Sequence, residues 1–269
     1  MRTIVHLSDL HFGRVDERLL APITETIRGI APDLVVVSGD LTQRARSSQF
    51  RQARRFLDGL PEPQVVVPGN HDVPLYNVFK RFAGALDNFR RHFHADVEPS
   101  YIDEEIAVVG VNTARSLTFK NGRINQAQVE RIRAQFLPLD PSVVRILVTH
   151  HPFDLAEGVH AKNLLGRSVM AMQGLAEFGV DLLLSGHLHA SHAMETSGRY
   201  PIEGFSALVV QAGTATSTRG RGETNSFNVL RIEDPRIVIE RHAWDEAKEA
   251  YLPASSSEFR RDGDNWSTA

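Results

Sequence analysis

Cysteine is absent from the 269-residue chain, which excludes a thiol nucleophile, a disulfide and a thiolate-bound metal. Long apolar runs are also missing, since none approaches the roughly 20 residues that span a bilayer. The apolar stretch at the N-terminus is too short for the core of a signal peptide, because polar Ser8 and Asp9 follow directly. We therefore expect a cytoplasmic protein with no membrane contact, a leader removed earlier being the alternative.

The chain has little excess charge of either sign. Its net charge of −3 gives no general attraction to nucleic acid or to an anionic membrane. Arg makes up 26 of the 30 basic residues, so a single Arg is weak evidence for a phosphate site. A 42% hydrophobic and 23% charged composition is typical of a globular protein, and the length fits one large α/β domain.

Buried strands alternate with amphipathic helices in the first part of the chain. Residues 3–7, 34–37 and 65–67 read as strands, and residues 17–29 and 47–60 read as helices. This order is typical of parallel βαβ units. Further strands are predicted at 106–111, 143–148 and 181–184, with a helix at 125–137 capped by Asn125. Residues 73–94 read as a helix or, in part, a lid.

The pattern changes after residue 189. Residues 192–196, 208–211, 227–232 and 237–242 read as short strands without long helices between them, which predicts a second, more antiparallel sheet. From residue 246 the chain becomes polar. We therefore predict a single domain over residues 1–245 and a mobile polar C-terminal tail over residues 246–269.

Metal-binding residue types follow five of the predicted strands. Strand ends at one edge of an α/β sheet are where such folds present their chemistry. Imidazole and oxygen donors suit Mn, Fe, Zn or Co. The five motifs are Asp9-x-His11, Gly39-Asp40, Gly69-Asn70-His71-Asp72, His150-x-Pro152 and Gly186-His187-x-His189.

In order and type, these motifs resemble those of the calcineurin-like metallophosphoesterase superfamily, namely D-x-H, G-D, G-N-H-[DE], H and G-H-x-H. The resemblance runs from residue 9 to residue 189, with every motif intact. It implies an α/β fold, a four-layer α/β/β/α sandwich of two mixed sheets. It also implies a dinuclear metal centre at the carboxyl edge of both sheets, with a metal-bridging hydroxide as nucleophile.

The resemblance assigns a role to each residue of the motifs. His71 would lie beside the phosphate and stabilise the transition state or protonate the leaving oxygen, and Asp72 would orient it. The H-x-P spacing selects His150 over the adjacent His151. The implied metal ligands are Asp9, His11 and His189 for the first ion, Asn70, His150 and His187 for the second, and Asp40 as the bridge.

Three further residues are candidates for substrate binding. Asn112 follows a predicted strand and is similar in position to a segment near the site of related enzymes, a turn-forming Asn being the alternative. Arg219 and Arg221 lie in a Gly/Thr-rich loop that is suited to holding phosphate. Solvated arginines are the alternative there. Tyr76 and Phe79 would stack on a base or pack in the core.

Within the superfamily the chain looks most like bacterial class III cyclic-nucleotide phosphodiesterases and glycerophosphodiesterases. We therefore expect a metal-dependent phosphodiesterase acting on cyclic AMP or a similar small diester. The alternatives are a broad-specificity phosphomonoesterase, a DNA repair-type nuclease and a metal-free protein-binding scaffold. Charge balance and length argue against the nuclease, and the resemblance leaves a homodimer open.

Overall fold

Two mixed β-sheets carry the fold, and the computed structural model describes residues 1–75, 84–115, 120–156, 158–219 and 222–269. The described helices are α1 (Leu20–Ile30), α2 (Ser47–Leu57), α3 (Asp87–His92), α4 (Gln126–Phe136) and α5 (Ser168–Ala176). The described strands are β1 (Arg2–Leu7), β2 (Leu34–Ser38), β3 (Gln64–Val67), β4 (Ser100–Ile102), β5 (Ile106–Gly110), β6 (Val144–Val148), β7 (Leu182–Ser185), β8 (His192–Glu195), β9 (Leu208–Gln211), β10 (Ser226–Glu233), β11 (Arg236–Asp245), β12 (Ala250–Asp262) and β13 (Asn265–Thr268).

Three apolar cores separate four layers. Alternate residues of one strand enter different cores, as Ile4 and Val5 of β1 do, because successive side chains of a strand point to opposite faces. One core lies between the two sheets, one joins the first sheet to α1 and α2, and one joins the second sheet to α4 and α5. Burial on both faces explains why β2 is apolar without alternation. The predicted sandwich of two mixed sheets is confirmed.

The antiparallel half of the chain does not form a sheet of its own, so that prediction was wrong. Strands β10 to β13 extend the first sheet, whose order is β13-β12-β11-β10-β1-β2-β3. Strand β10 pairs antiparallel with β1, and β1 pairs parallel with β2. Strands β8 and β9 instead complete the second sheet, of order β4-β5-β6-β7-β9-β8. The sequence of a strand does not determine which strand it pairs with, so the short strands at the end of the chain were wrongly assigned to a separate sheet.

The predicted mobile tail from residue 246 was also wrong, and with it the domain boundary at 245. Residues 250–262 and 265–268 are β12 and β13. The serine run that suggested a tail, residues 255–257, faces solvent on β12. Tyr251, Phe259 and Trp266 are each 2% exposed and tie these strands to the apolar cores. The sequence pattern did not indicate these strands, because the three buried aromatic residues are widely spaced and separated by serines and charged residues.

The remaining elements agree with the sequence patterns at most positions. Asn125 caps α4 as predicted, since its Oδ1 accepts from the Gln128 N–H at 3.0 Å and Gln128 Oε1 accepts from the Asn125 N–H at 3.1 Å. In the region predicted as helix or lid, the described helix is α3 alone. Tyr76 and Phe79 lie outside the described residues. Among the described residues, no helix is long and apolar enough to cross a membrane.

We predict that Trp266→Ala lowers the free energy of unfolding by about 3–5 kcal/mol, the usual loss for a buried aromatic truncated to alanine. The indole N–H of Trp266 also donates to Asp181 at 3.0 Å, and that bond would be lost. Urea unfolding measures the effect. Asn265→Ala, at the exposed neighbouring position, is the matched control. An unchanged midpoint for Trp266→Ala would mean that the C-terminal strands are not packed as described.

Candidate metal centre

Unusual backbone geometry aims the predicted ligands inward at the strand ends. A positive φ is uncommon for a residue other than glycine, and strain of this kind concentrates at functional sites. Five of the seven predicted metal ligands have it: Asp9 (φ 53°), His11 (50°), Asp40 (53°), His187 (72°) and His189 (60°). Asp and His adopt this backbone more often than most residues other than glycine, but they do so too rarely for the sequence alone to predict it.

One group of donor atoms gathers where β1 and β7 end. Asp9 Oδ1 lies 3.4 Å from His11 Nε2 and 3.3 Å from His189 Nε2, and the two Nε2 atoms are 3.3 Å apart. All three side chains are buried. His11 and His189 are 178 positions apart in the chain, so only the fold brings the three side chains together.

A second group lies beside the first. Asn70 Oδ1 is 3.1 Å from both His150 Nε2 and His187 Nδ1, and those two nitrogens are 3.3 Å apart. His187 and His189 face different groups, as the resemblance implied, although they are only two residues apart. The left-handed turn at both positions separates their side chains.

Asp40 joins the two groups through its two carboxylate oxygens. Oδ2 lies 3.7 Å from His11 Nε2, and Oδ1 lies 3.4 Å from His150 Nε2. The backbone at Gly69 passes very close to the Asp40 side chain, and a Cβ on Gly69 would overlap the Asp40 carboxylate. Glycine is therefore required at position 69 for a steric reason.

The donor set fits a pair of transition-metal ions. Ligands about 2.1 Å from one ion, at the usual angles, lie about 3.0–3.4 Å from one another, as the atoms of each group do here. Asp9 Oδ1 is a buried carboxylate oxygen without a hydrogen-bond donor among the described residues, which is costly unless a cation completes it. The imidazole, amide and carboxylate donors suit Mn, Fe, Zn or Co.

The electrostatics of the site favour ionised carboxylates. Burial opposes the charge of Asp9 and Asp40, but the neighbouring histidines outweigh it and hold the pKa of both carboxyl groups below the ordinary value. Burial lowers the pKa of His187 to about 3, which keeps that ring neutral. His150 differs, because the adjacent Asp40 outweighs burial and raises its pKa to about 9. A metal ion at this ring would displace that proton.

His151 lies against the second group but has no free ring nitrogen. Its Nε2–H donates to the Lys120 carbonyl at 2.9 Å, and its Nδ1 accepts from the Thr113 hydroxyl at 2.8 Å. Burial holds its pKa well below the ordinary value, in keeping with this neutral form. The geometry therefore favours His150 as the ligand, as the H-x-P spacing suggested.

His71 lies beside the first donor group, with one ring nitrogen within 4.8 Å of the donor atoms of His11 and Asp40, but both of its ring nitrogens are hydrogen-bonded elsewhere. Its Nδ1–H donates to the Gln43 carbonyl at 3.0 Å, and its Nε2 accepts from Arg219 Nη1 at 2.9 Å. Burial lowers the pKa of His71, and Asp40 only partly opposes this. The ring is thus a neutral imidazole with Nε2 as acceptor. Sequence reasoning missed Gln43, whose backbone carbonyl no motif could reveal.

Asp72 does not orient His71, so the predicted role was wrong. Its carboxylate accepts at 2.9–3.1 Å from the backbone N–H groups of Leu41, Thr42 and Gly69 and from the Thr42 hydroxyl. Asp72 is buried, and these hydrogen bonds hold the loop after β2 against the loop after β3. The carboxylate points away from its sequence neighbour because these donors satisfy its buried charge.

A cavity of about 260 Å³ opens beside Asn70 and His71. Arg219 lines it, while Arg221 lies outside the described residues. Asn112 is placed in a turn, where its Oδ1 accepts from the Ala114 N–H at 3.0 Å, so its position matches the turn-forming alternative. A larger cavity of about 520 Å³ lies between α1 and α2 and includes none of the predicted site residues.

Comparisons with known proteins agree with this arrangement. The chain is similar to the glycerophosphodiester phosphodiesterase GpdQ of Enterobacter lignolyticus, with 34% identity over 80 residues that cover 26% of this chain and 29% of GpdQ. The chain thus spans less than a third of that relative. It is also 26% identical to the cAMP/cGMP dual specificity phosphodiesterase MT0825 of Mycobacterium tuberculosis, over 87% of this chain and 77% of the relative.

A dimetal phosphatase from Danio rerio shares the fold. The two structures superpose with a TM-score of 0.61 at 14% identity, over 90% of this chain and 96% of the other. The family model for calcineurin-like phosphoesterases matches residues 2–191, well over half of the chain. With its histidine and aspartate groups placed for metal binding at the shared strand edge, the chain belongs to the calcineurin-like phosphoesterase family.

Proposed function

We propose that the chain is a dinuclear-metal-dependent phosphodiesterase for small phosphodiesters, with cyclic AMP as the named candidate substrate. The observation that carries the proposal is the pair of donor groups joined by Asp40. Asp9, His11 and His189 would hold one ion, and Asn70, His150 and His187 the other. The similarity to a cAMP/cGMP phosphodiesterase supports the choice of substrate class.

The metals and the chain's own residues would divide the chemistry. Two bound ions would neutralise phosphoryl oxygens and lower the pKa of water. The fixed side chains would place the ions at the edge of the cavity that Asn70 and His71 line. Because the ligands sit on turns at five strand ends, their positions are set before any substrate arrives, which lowers the cost of reorganisation.

His71 and Arg219 are proposed to act on the phosphate directly. The Gln43 carbonyl accepts the His71 Nδ1–H, so Nε2 is the nitrogen left for proton transfer. Because Nε2 is unprotonated here, it would first take up a proton and then pass it to the leaving oxygen. Arg219 donates to that Nε2 and lines the same cavity, which places its guanidinium where a phosphoryl oxygen would enter. In this proposal Arg219 binds the phosphate and His71 transfers the proton.

The rival functions differ in what they require of the site. A metal-free scaffold does not need a complete set of metal-donor side chains, and it would gain nothing from the strained backbone at five of them. The geometry therefore favours an enzyme. A phosphomonoesterase would use the same metals, and substrate comparison separates it from a diesterase. The homodimer stays a prediction.

We predict that the protein, purified without chelator and dialysed, carries two transition-metal ions per chain, and that Asp40→Ala removes both. The carboxylate serves both groups, so its loss leaves each one short of a charged donor. Elemental analysis gives the count. Asp58→Ala, on an exposed carboxylate paired with Arg54, is the control. If the native protein holds no such metal and added Mn confers no hydrolysis, the scaffold reading is correct instead.

His71→Ala is expected to keep both ions and to lower kcat about 100-fold or more, the usual range for a lost acid–base group. Steady-state hydrolysis of bis-p-nitrophenyl phosphate, together with elemental analysis, tests this. His92→Ala on α3 removes a histidine bonded to Ser47 and should change neither quantity. Loss of metal from His71→Ala would show that His71 is a ligand.

Diesters should be better substrates than matched monoesters. A phosphodiester has two ester oxygens, and the cavity beside Asn70 and His71 offers room for the organic group that one of them carries. We expect kcat/KM at least tenfold higher for cyclic AMP or bis-p-nitrophenyl phosphate than for AMP or p-nitrophenyl phosphate. Adding a glycerophosphodiester to the panel identifies the class of diester. A preference for both monoesters would support the phosphomonoesterase.

A further inference from the structure

The cavity beside the candidate metal centre carries more positive charge than a simple diester needs. Four cationic side chains line it, namely Arg14, Arg44, Lys120 and Arg219, and no carboxylate does so among the described residues. The chain as a whole has a net charge of −3, so positive charge is concentrated at this mouth. Like charges gathered around a concave surface raise the local concentration of anions.

Charge balance indicates what these cations are for. Two divalent ions would bring four positive charges to the site, against which Asp9 and Asp40 set two negative ones. A phosphodiester adds a single negative charge, and Arg219 already stands at His71 to meet it. Arg14, Arg44 and Lys120 are therefore in excess of what the scissile group requires.

The backbone of each of these three residues is fixed close to the site. The Arg14 carbonyl accepts from the Thr218 N–H at 2.9 Å, and the Lys120 carbonyl accepts from His151 at 2.9 Å. The Arg44 N–H donates to Gln49 at 2.9 Å. Three loops with anchored backbones thus carry their exposed cationic ends to one opening.

The size of the cavity limits what these cations can meet. At about 260 Å³ it is smaller than the roughly 300–1,000 Å³ usual for a drug-sized ligand. A compact acidic group fits a space of this size. A carboxylate or phosphate would accept charge-assisted hydrogen bonds from Lys and Arg donors.

We propose that Arg14, Arg44 and Lys120 form a second-anion subsite, so that the preferred substrate carries a carboxylate or phosphate in addition to the phosphoester that is cleaved. The proposal rests on the proposed function, because the scissile group is taken to lie at the metals. Within the class of small phosphoesters, it narrows the preferred substrate to one with a second acidic group on the side of His71, a group that cyclic AMP lacks.

Binding of non-hydrolysable phosphonates to the manganese-loaded protein tests the subsite without turnover. Phenylphosphonate and 4-carboxyphenylphosphonate differ only in the second acidic group, and 1,4-phenylenebisphosphonate replaces that group with a phosphonate. Calorimetry should give a Kd about tenfold lower for the two doubly acidic probes, as one charge-assisted contact provides. Whichever of the two binds more tightly identifies the second group as carboxylate-like or phosphate-like.

Variants assign the effect to the named side chains. Arg14→Gln, Arg44→Gln and Lys120→Gln should each reduce the tenfold ratio to about threefold or less. Arg55→Gln, the same kind of change beside the larger cavity between α1 and α2, should leave it unchanged. Equal binding of all probes, or a ratio that none of the three substitutions lowers, would overturn the subsite and leave the phosphodiesterase standing. Failure of every phosphonate to bind would also overturn the subsite, whereas the proposed function is tested separately, by the hydrolysis of bis-p-nitrophenyl phosphate.

Discussion

A buried carboxylate, that of Asp40, is the constraint on which the candidate site depends. It is 1% exposed, and its two oxygens face two different clusters of histidine nitrogens. A charge buried so deeply is tolerated only when surrounding groups balance it. The His71 N–H donates to Oδ1 at 2.8 Å, and the chain at Gly69 passes too close to admit a side chain. These contacts fix where β2 and β3 must end.

The fold places groups that balance the charge of Asp40 around it, because the two sheets meet at one edge. The Nδ1–H of His150, which follows a strand of the second sheet, donates at 2.8 Å to the Ser38 carbonyl at the end of the first. This bond orients the ring so that Nε2 faces Asp40 and Asn70. A ligand fixed through its other nitrogen is a common device in metal sites. The left-handed backbone of five candidate ligands costs about 1–3 kcal/mol at each position, which the three apolar cores offset.

The five motifs follow apolar strands, and the family resemblance that they carry predicted the fold class and the residues that gather at the site. The sequence could not reveal contacts that depend on the path of the backbone. The Gln43 carbonyl at His71 and the loop-tying role of Asp72 are of this kind. Strand pairing was equally hidden, since β10 reads the same whether it joins β1 or forms a new sheet. The C-terminal strands were missed because Tyr251, Phe259 and Trp266 are separated by polar residues that face solvent.

Anomalous diffraction from manganese-loaded crystals would show whether two ions bind at Asp40, because it locates each ion independently of any assigned function. We expect two peaks on opposite sides of the Asp40 carboxylate, one among Asp9, His11 and His189 and the other among Asn70, His150 and His187. A single peak, or strong peaks remote from Asp40, would contradict this expectation.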